Sequence, residues 1–346
     1  MDGPRIAVLG TGALGSPIGG LLTRSGHDVI LVDQWSAHVD AMRADGLRIT
    51  IGLLEDPAEQ FTVPVRAHHV SELASLRPRL DIVFLTCKSY DSRWMVQLIE
   101  PYLAPDGVVV SVQNSLNDEW VAPIVGTERD IACVLTAGGG ELLAPGDTWR
   151  DHVTNRYVIG ELDRPVTPRL EAIAAILGAA ATVSLSTNIW GLKWTKMIRT
   201  CMAAPLAGMT GLRSRELFAD VDCRRAGAAL GLEVIRVALA LGIELEPIVA
   251  DLTVEELIAT PEALLGKGQP AIVPGREAPN FISQDLAKGR RTEIDYINGL
   301  VAAKGRDVGI ATPVSDRAVD IVHRLERGEL SPKLANVGLL ADALNS

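Results

Sequence analysis

The sequence predicts an α/β protein, with a doubly wound parallel sheet in its N-terminal half and an all-helical C-terminal half. Three observations carry this. Within Arg5–Asp33 a strand, a glycine turn, a helix and a second strand follow one another. Further apolar, β-branched runs then alternate with helical patterns through the first half of the chain. Beyond Pro168 the pattern becomes helical almost throughout.

The first unit is the most informative. Ile6, Val8 and Leu9 form a short apolar run that ends at Gly10. Gly10, Gly12 and Gly15 stand in G-x-G-x-x-G spacing, and a helical pattern follows through Leu14, Ile18, Leu21 and Leu22. A second apolar run, Val29–Val32, ends in Asp33. Each part has a task in holding a dinucleotide, which makes the sheet Rossmann-type. Gly10 permits the tight turn. Gly12 leaves room for a pyrophosphate. Gly15 lets the helix pack close to the strand. Backbone N–H groups around Thr11, Ala13 and Leu14 face the phosphate oxygens at the positive end of the helix dipole. Asp33 accepts from the adenosine ribose hydroxyls and repels a 2′-phosphate. Gln34 and Trp35 follow it, with no arginine nearby, so the sequence predicts NAD, with NADP less favoured.

The next elements continue the alternation. Val39, Met42 and Leu47 outline a short helix leading into Leu47–Ile51. Asp81–Leu85 is a continuous apolar run, the mark of a strand covered on both faces. It leads into Thr86-Cys87-Lys88 and a helix carrying Trp94, Met95, Leu98 and Ile99. Gly107–Val112 is another such strand, ending at Gln113-Asn114, and Ile131–Leu135 and Tyr157–Ile159 complete the set. In such sheets the ligand lies at the carboxyl ends of the strands. Lys88 and Asn114 stand at such ends and join the cofactor-binding set. Helical runs are expected at about 169–180, 187–204, 214–242, 284–307 and 313–327, with short helices and loops in 244–279. The predicted domains are 1–180 for the dinucleotide and 181–346 for substrate and catalysis, the cleft between them being the expected active site.

Composition narrows the function classes. The 346 residues are 47% hydrophobic and 22% charged, as in an ordinary globular protein. The formal charge of −10 argues against nucleic acid or an anionic membrane surface as partner. No apolar run approaches the length of a membrane span, and the N-terminus lacks a signal-peptide pattern. The four cysteines, Cys87, Cys133, Cys201 and Cys223, form no metal or disulfide pattern, so a cytoplasmic location is expected. The six histidines are scattered and imply no metal site.

Two polar segments of the helical half carry chemistry. In Trp190–Met197, Lys193 and Lys196 share a helix face with Thr200, while Trp190 pairs with Trp194. A lysine beside aromatics is partly desolvated and becomes a better proton donor near neutral pH. Lys193 reads as the solvent-facing member of the pair. In Ser283–Gly299, Asp285, Glu293 and Asp295 alternate with apolar residues, as in a helix that buries part of its polar side.

Taken together the chain resembles the ketopantoate reductase family over nearly its whole length. The resemblance rests on the glycine motif, Lys88, Gln113-Asn114, Trp194-x-Lys196 followed by Cys201 and Pro205-Leu206, and above all GRRTEIDYING at 289–299. It implies that Lys196 is the general acid/base that protonates the carbonyl oxygen, and that Glu293 positions Lys196 and the substrate. It also implies that Lys88 and Asn114 contact cofactor or substrate, with Thr200 and Asn298 beside the substrate. The substrate is then a small hydroxy or oxo acid, and a homodimer is left open.

The departures are informative. Thr200 and Ala204 stand where the family has asparagines, and Phe281 where it has a serine. These exchanges make the pocket less polar, and each buried donor lost costs on the order of 1–3 kcal/mol in recognition of its partner. Asp33 replaces the family's basic residue for NADP. The resulting expectation is an NAD-dependent oxidoreductase acting on a secondary alcohol or ketone of a small acid. Two rivals stand beside it: an authentic 2-dehydropantoate 2-reductase of pantothenate synthesis, and a non-catalytic NAD(H)-binding sensor.

Overall fold

A computed structural model describes residues 3–246 and 278–345. The loops and short helices expected in 244–279 lie almost wholly outside the described residues. The chain divides into two compact units, Met1–Ile189 with Gly275–Ala278, and Trp190–Pro274 with Pro279–Ser346.

In chain order the strands are β1 (Arg5–Leu9), β2 (Asp28–Asp33), β3 (Leu47–Gly52), β4 (Pro57–Val63), β5 (Arg66–His69), β6 (Leu80–Leu85), β7 (Leu103–Ser111), β8 (Asp130–Ala137), β9 (Gly140–Ala144), β10 (Asp147–Arg150), β11 (Arg156–Glu161) and β12 (Thr182–Leu185). Eight of them form one sheet in the order β12-β11-β8-β7-β6-β1-β2-β5. All neighbours are parallel except β8 and β11. The domain boundary read at 180/181 falls just before β12, which pairs with β11; by contacts the division comes after Ile189.

Both faces of this sheet are covered, which is why its strands read as unbroken apolar runs. Ile6 and Val8 of β1 pack with Leu31, Phe84 and Val110 under α1 (Gly15–Arg24) and α6 (Pro168–Leu177). Ala7 and Leu9 turn the other way, with Val83 and Leu85, under α4 (Ser92–Ile99) and α5 (Asp118–Val125). Leu47–Ile51 is strand as expected, yet it belongs to a second sheet of order β4-β3-β10-β9. Leu47, Ile49 and Ile51 still face the same core as α1 and α2 (Ser36–Asp45), and the buried Trp149 indole donates to the Gly52 carbonyl at 2.7 Å.

The second unit is helical among its described residues. It comprises α7 (Ile189–Thr210), α8 (Ser214–Ala219), α9 (Val221–Ala240), α10 (Phe281–Ala287), α11 (Asn298–Val308), α12 (Pro313–Glu326) and α13 (Ala341–Leu344). Two expected helices are interrupted. The run at 214–242 breaks at Asp220, whose carboxylate caps α9 by accepting from the Cys223 N–H at 2.9 Å. The run at 284–307 breaks after α10. There Gly289 takes φ 61, a conformation open to glycine, and Arg290 N–H donates back to the Asp285 carbonyl at 2.8 Å. The chain then makes a 3-10 turn, Ile294–Tyr296, before α11. Glu233 of α9 fixes α12 by accepting from the N–H groups of Val314 and Ser315 at 2.8 Å each. Burial raises the Glu233 pKa against the pull of these bonds. No described helix is long and apolar enough to cross a membrane, and no described group of His, Cys, Asp or Glu is arranged to hold a metal.

Candidate active site

The sheet order sets β7, β6, β1 and β2 side by side. Their carboxyl ends therefore present Asn114, Lys88, the glycine turn and Asp33 in one row. The turn itself shows three different reasons for glycine. At Gly10, φ is +91, and a Cβ would come within 2.6 Å of the Cys87 backbone. At Gly15 a Cβ would lie 2.2 Å from the Gly10 carbonyl oxygen and 2.4 Å from Thr86 Oγ1. At Gly12 it would meet nothing within 4 Å. The packing of the protein thus demands Gly10 and Gly15 but not Gly12.

Asp33 is only 8% exposed and holds the turn from beneath. Its Oδ2 accepts from the Thr11 N–H at 2.6 Å and from Thr11 Oγ1 at 2.9 Å, and its Oδ1 accepts from the Trp35 N–H at 2.8 Å. One carboxylate thus ties the glycine loop to the start of α2. His38, which sequence reasoning passed over, completes the support. Its Nδ1 accepts from the Gly146 N–H at 2.9 Å, so Nε2 carries the proton and donates to the Thr11 carbonyl at 2.8 Å. Burial pushes the His38 pKa down, opposed by the Asp33 charge and the Thr11 bond. The partner Gly146 is far away in sequence, so no local signal marks His38.

Past β2 the surroundings are acidic. Gln34 Nε2 donates to Asp91 Oδ2 at 2.8 Å, and the Trp94 indole donates to Asp91 Oδ1 at 2.7 Å. A second carboxylate is therefore held beside the residue that follows Asp33.

The loops after β6 and β7 are cross-bonded. Gln113 Nε2 donates to the Cys87 carbonyl at 2.9 Å and to Ser92 Oγ at 2.6 Å. Asn117 Nδ2 donates to Ser89 Oγ at 3.0 Å and to the Asn114 carbonyl at 2.5 Å. Ser92 Oγ in turn donates to Asn117 Oδ1 at 2.8 Å. The network holds Ser115 at φ 73, a left-handed conformation that costs a non-glycine residue about 1–2 kcal/mol. Lys88 and Asn114 are half-buried on these loops, and the Asn114 carboxamide has no hydrogen-bond partner among the described residues.

In the second unit, α7 carries Lys196 half-buried and Thr200 buried, with Thr200 Oγ1 donating to the Lys196 carbonyl at 3.0 Å. Lys193 corrects the sequence reading. It is 2% exposed, so it is an interior residue and not the solvent-facing lysine. Lys193 lies only one helical turn from Lys196, but helical spacing alone does not reveal which flank of the face is covered.

Asn298 is tied into the helical unit. It is fully buried, and its Nδ2 donates to the Cys201 carbonyl at 3.3 Å. Pro205 lies four residues after Cys201 and has no N–H, so it cannot give that carbonyl its helical hydrogen bond. Asn298 supplies the missing donor. This bond joins α11 to α7, while the Asn298 Oδ1 has no hydrogen-bond partner among the described residues. Glu293 is buried just upstream, in the turn before α11 and not within a helix. Its neighbours are anchored to α12: the Thr292 N–H donates to Glu326 Oε1 at 2.7 Å, and His323 pairs with Asp295 at 2.9 Å. A Cβ at Gly208 of α7 would lie 2.5 Å from Ile282 Cγ2, so α10 also packs closely on α7. Ala204, one of the exchanges expected to make the pocket less polar, is fully buried.

The structure thus assembles the site residues in two groups. Gly10 to Gly15, Asp33, Lys88 and Asn114 gather in the first unit. Lys196, Thr200, Glu293 and Asn298 belong to the second, where α7 meets the Glu293–Asn298 segment.

Comparison with known proteins covers both groups. The family model described as ketopantoate reductase PanE/ApbA matches residues 6–164, and its C-terminal counterpart matches 188–326. A 2-dehydropantoate 2-reductase of Archaeoglobus fulgidus is 26% identical, with 94% of this chain and 98% of the relative covered. Among solved structures, the ternary structure of D-mandelate dehydrogenase with NADH and anilino(oxo)acetate is similar, with a TM-score of 0.80 and 26% identity. That match covers 94% of this chain and 98% of the other. A PanE/ApbA family ketopantoate reductase from Ralstonia eutropha JMP134 gives 0.76 and 28%, covering 94% and 99%.

Proposed function

The chain belongs to the ketopantoate reductase family, and from that premise we propose an enzyme that prefers NAD(H) and acts on a small 2-hydroxy or 2-oxo acid. It is an oxidoreductase of CH–OH groups, using a nicotinamide dinucleotide. The observation that carries the cofactor reading is the row of strand ends from β7 to β2. The first-unit residues fit a dinucleotide. Gly12 lacks a side chain where the protein itself would tolerate one, as a close-lying pyrophosphate requires. Asp33 keeps one Oδ1 lone pair for a ribose hydroxyl, and its charge opposes a 2′-phosphate. Asp91, held through Gln34, adds to that opposition.

NAD(H) bound there supplies or takes up the hydride. The residues of the chain manage the proton. Reduction of a ketone leaves an alkoxide oxygen that must be protonated as it forms, and Lys196 Nζ is the proposed donor. In oxidation Lys196 takes the hydroxyl proton. Glu293 is the proposed positioning residue, fixed from below by the α11 and α12 anchors. Asn114 offers a free carboxamide to substrate or nicotinamide, and Lys88 stands beside it on the neighbouring strand end. Thr200 retains acceptor capacity although its hydroxyl proton is engaged.

The test is a spectrophotometric assay of NADH and NADPH oxidation with ketopantoate, benzoylformate and other 2-oxo and 3-oxo acids. The expected result is a higher kcat/KM with NADH than NADPH. Ketopantoate should fall below the ~10⁴ M⁻¹s⁻¹ usual for an enzyme's own substrate. The resemblance to the Archaeoglobus fulgidus relative favours the second reading, an authentic 2-dehydropantoate 2-reductase. Rapid NADPH-dependent turnover of ketopantoate would establish it instead. Tight NADH binding without turnover of any acid would mark a sensor.

A further inference from the structure

We infer that Arg199 is the carboxylate anchor of the substrate pocket, binding the acid group of a 2-oxo or 2-hydroxy acid while Lys196 serves its carbonyl or hydroxyl oxygen. This rests on the hydroxy-acid reading above and extends it to a residue outside the family motifs.

Arg199 stands three residues after Lys196 on α7, so their Cβ atoms lie about 5–6 Å apart on adjoining parts of one helix surface. The opposite side of the helix is core: Trp194, Met197, Ile198, Cys201 and Met202 are all buried. Arg199 is exposed by contrast. Its guanidinium has no hydrogen bond or ion pair with any described residue. Other arginines of the chain are neutralised by carboxylates, as Arg169 is by Glu161 and Arg317 by Asp320, while some, such as Arg93 and Arg236, are not.

The environment of this charge points the same way. Although the side chain reaches solvent, neighbouring protein crowds it enough to lower the guanidinium pKa by desolvation, with no acidic neighbour acting against it. A cation in that position gains by binding an anion. Its planar fork of N–H donors matches a carboxylate bidentately. The other polar group next to Lys196 on this face is less suited. Thr200 directs its hydroxyl proton to the Lys196 carbonyl. A 2-oxo acid carries its two polar groups on adjacent carbons. Two cationic side chains one helical turn apart can therefore each take one of them.

The test compares acid and neutral forms of one substrate on the full-length protein. Wild type, Arg199→Met and Arg199→Lys are assayed at saturating NADH with benzoylformate and ketopantoate and with the primary amides of both. Arg199→Met should raise KM for the acids by about 10–150-fold, the value of a lost charge-assisted hydrogen bond. It should leave KM for the amides within about twofold and the NADH Kd unchanged. Arg199→Lys should fall between, keeping the charge without the fork. Equal effects on acid and amide, or no effect on either, overturn the assignment while leaving the enzyme reading intact. Failure of wild type to reduce any 2-oxo acid overturns both.

Discussion

The two groups of site residues are built on different principles. Around the glycine turn, nearly every polar side chain is answered from within. Asp33 holds Thr11 and Trp35, His38 bridges Thr11 to Gly146, and Gln113 and Asn117 stitch two strand-end loops together. On α7 the interior face is just as well packed, but the outer face presents Arg199 with no counter-ion among the described residues. The contrast teaches where each unit puts its rigidity. The dinucleotide side is shaped in advance, so binding there demands little reordering. The helical side keeps charge uncompensated for a ligand to complete.

The largest test of this contrast is on α7. Lys196→Ala should fold and bind NADH, yet lose about 10²–10⁴-fold in kcat, the usual share of a positioned acid–base group. Lys193→Ala should show the reverse balance. Being interior, it should lower the melting temperature while kcat stays within about tenfold. A collapsed kcat in Lys193→Ala beside normal turnover in Lys196→Ala would exchange the two roles.

The glycine turn offers the next test. Gly15→Ala should destabilise the first unit by roughly 1–3 kcal/mol or more, because backbone and Thr86 crowd the new methyl. Gly12→Ala should leave the melting temperature unchanged and weaken NADH binding about tenfold or more, read by fluorescence titration. If Gly12→Ala binds NADH normally, no pyrophosphate lies against that position. Cofactor choice follows. Asp33→Asn with Gln34→Arg keeps an acceptor for Thr11 while reversing the local charge. It should raise the NADPH to NADH ratio of kcat/KM by about tenfold or more.

The smallest expected effect belongs to His38. Burial holds it neutral, with its pKa below the ordinary histidine value. The unfolded chain therefore binds this proton at higher pH than the native protein does. The stability His38 contributes is fully present above about pH 6.5 and declines as pH falls toward the lowered native value. His38→Gln should flatten that part of the melting-temperature profile between neutral and mildly acidic pH. An unchanged slope would show that other groups set it.

These residues also show what the sequence makes legible. The strand, turn, helix and strand of Arg5–Asp33 were readable because every signal in them is local. The second sheet was not, since β3 finds its parallel partner β10 only after most of the first unit has intervened. Strand β5 reads RAHH, a polar stretch at the sheet edge with only Ala67 buried, and it gives no apolar run to detect. The Ser283–Gly299 segment buries Asp285 and Glu293 as expected but does not form one continuous helix, although Gly289 was the visible stop signal. Thr11 was placed correctly at the turn, yet its bonds to Asp33 and His38 depend on tertiary neighbours that spacing does not encode.

The bond from Asn298 to the Cys201 carbonyl bears on how this chain can change over generations. Pro205→Ala alone would give that carbonyl a helical donor beside the Asn298 amide, since a carbonyl oxygen can accept two hydrogen bonds. Replacing Asn298 by an apolar residue alone would strand the carbonyl beneath Pro205 at about 1–3 kcal/mol. Loss of Asn298 is therefore costly while Pro205 remains and mild once an alanine there supplies the helical donor. Such one-sided dependence makes the order of substitution matter: position 205 must change before position 298 is free to vary.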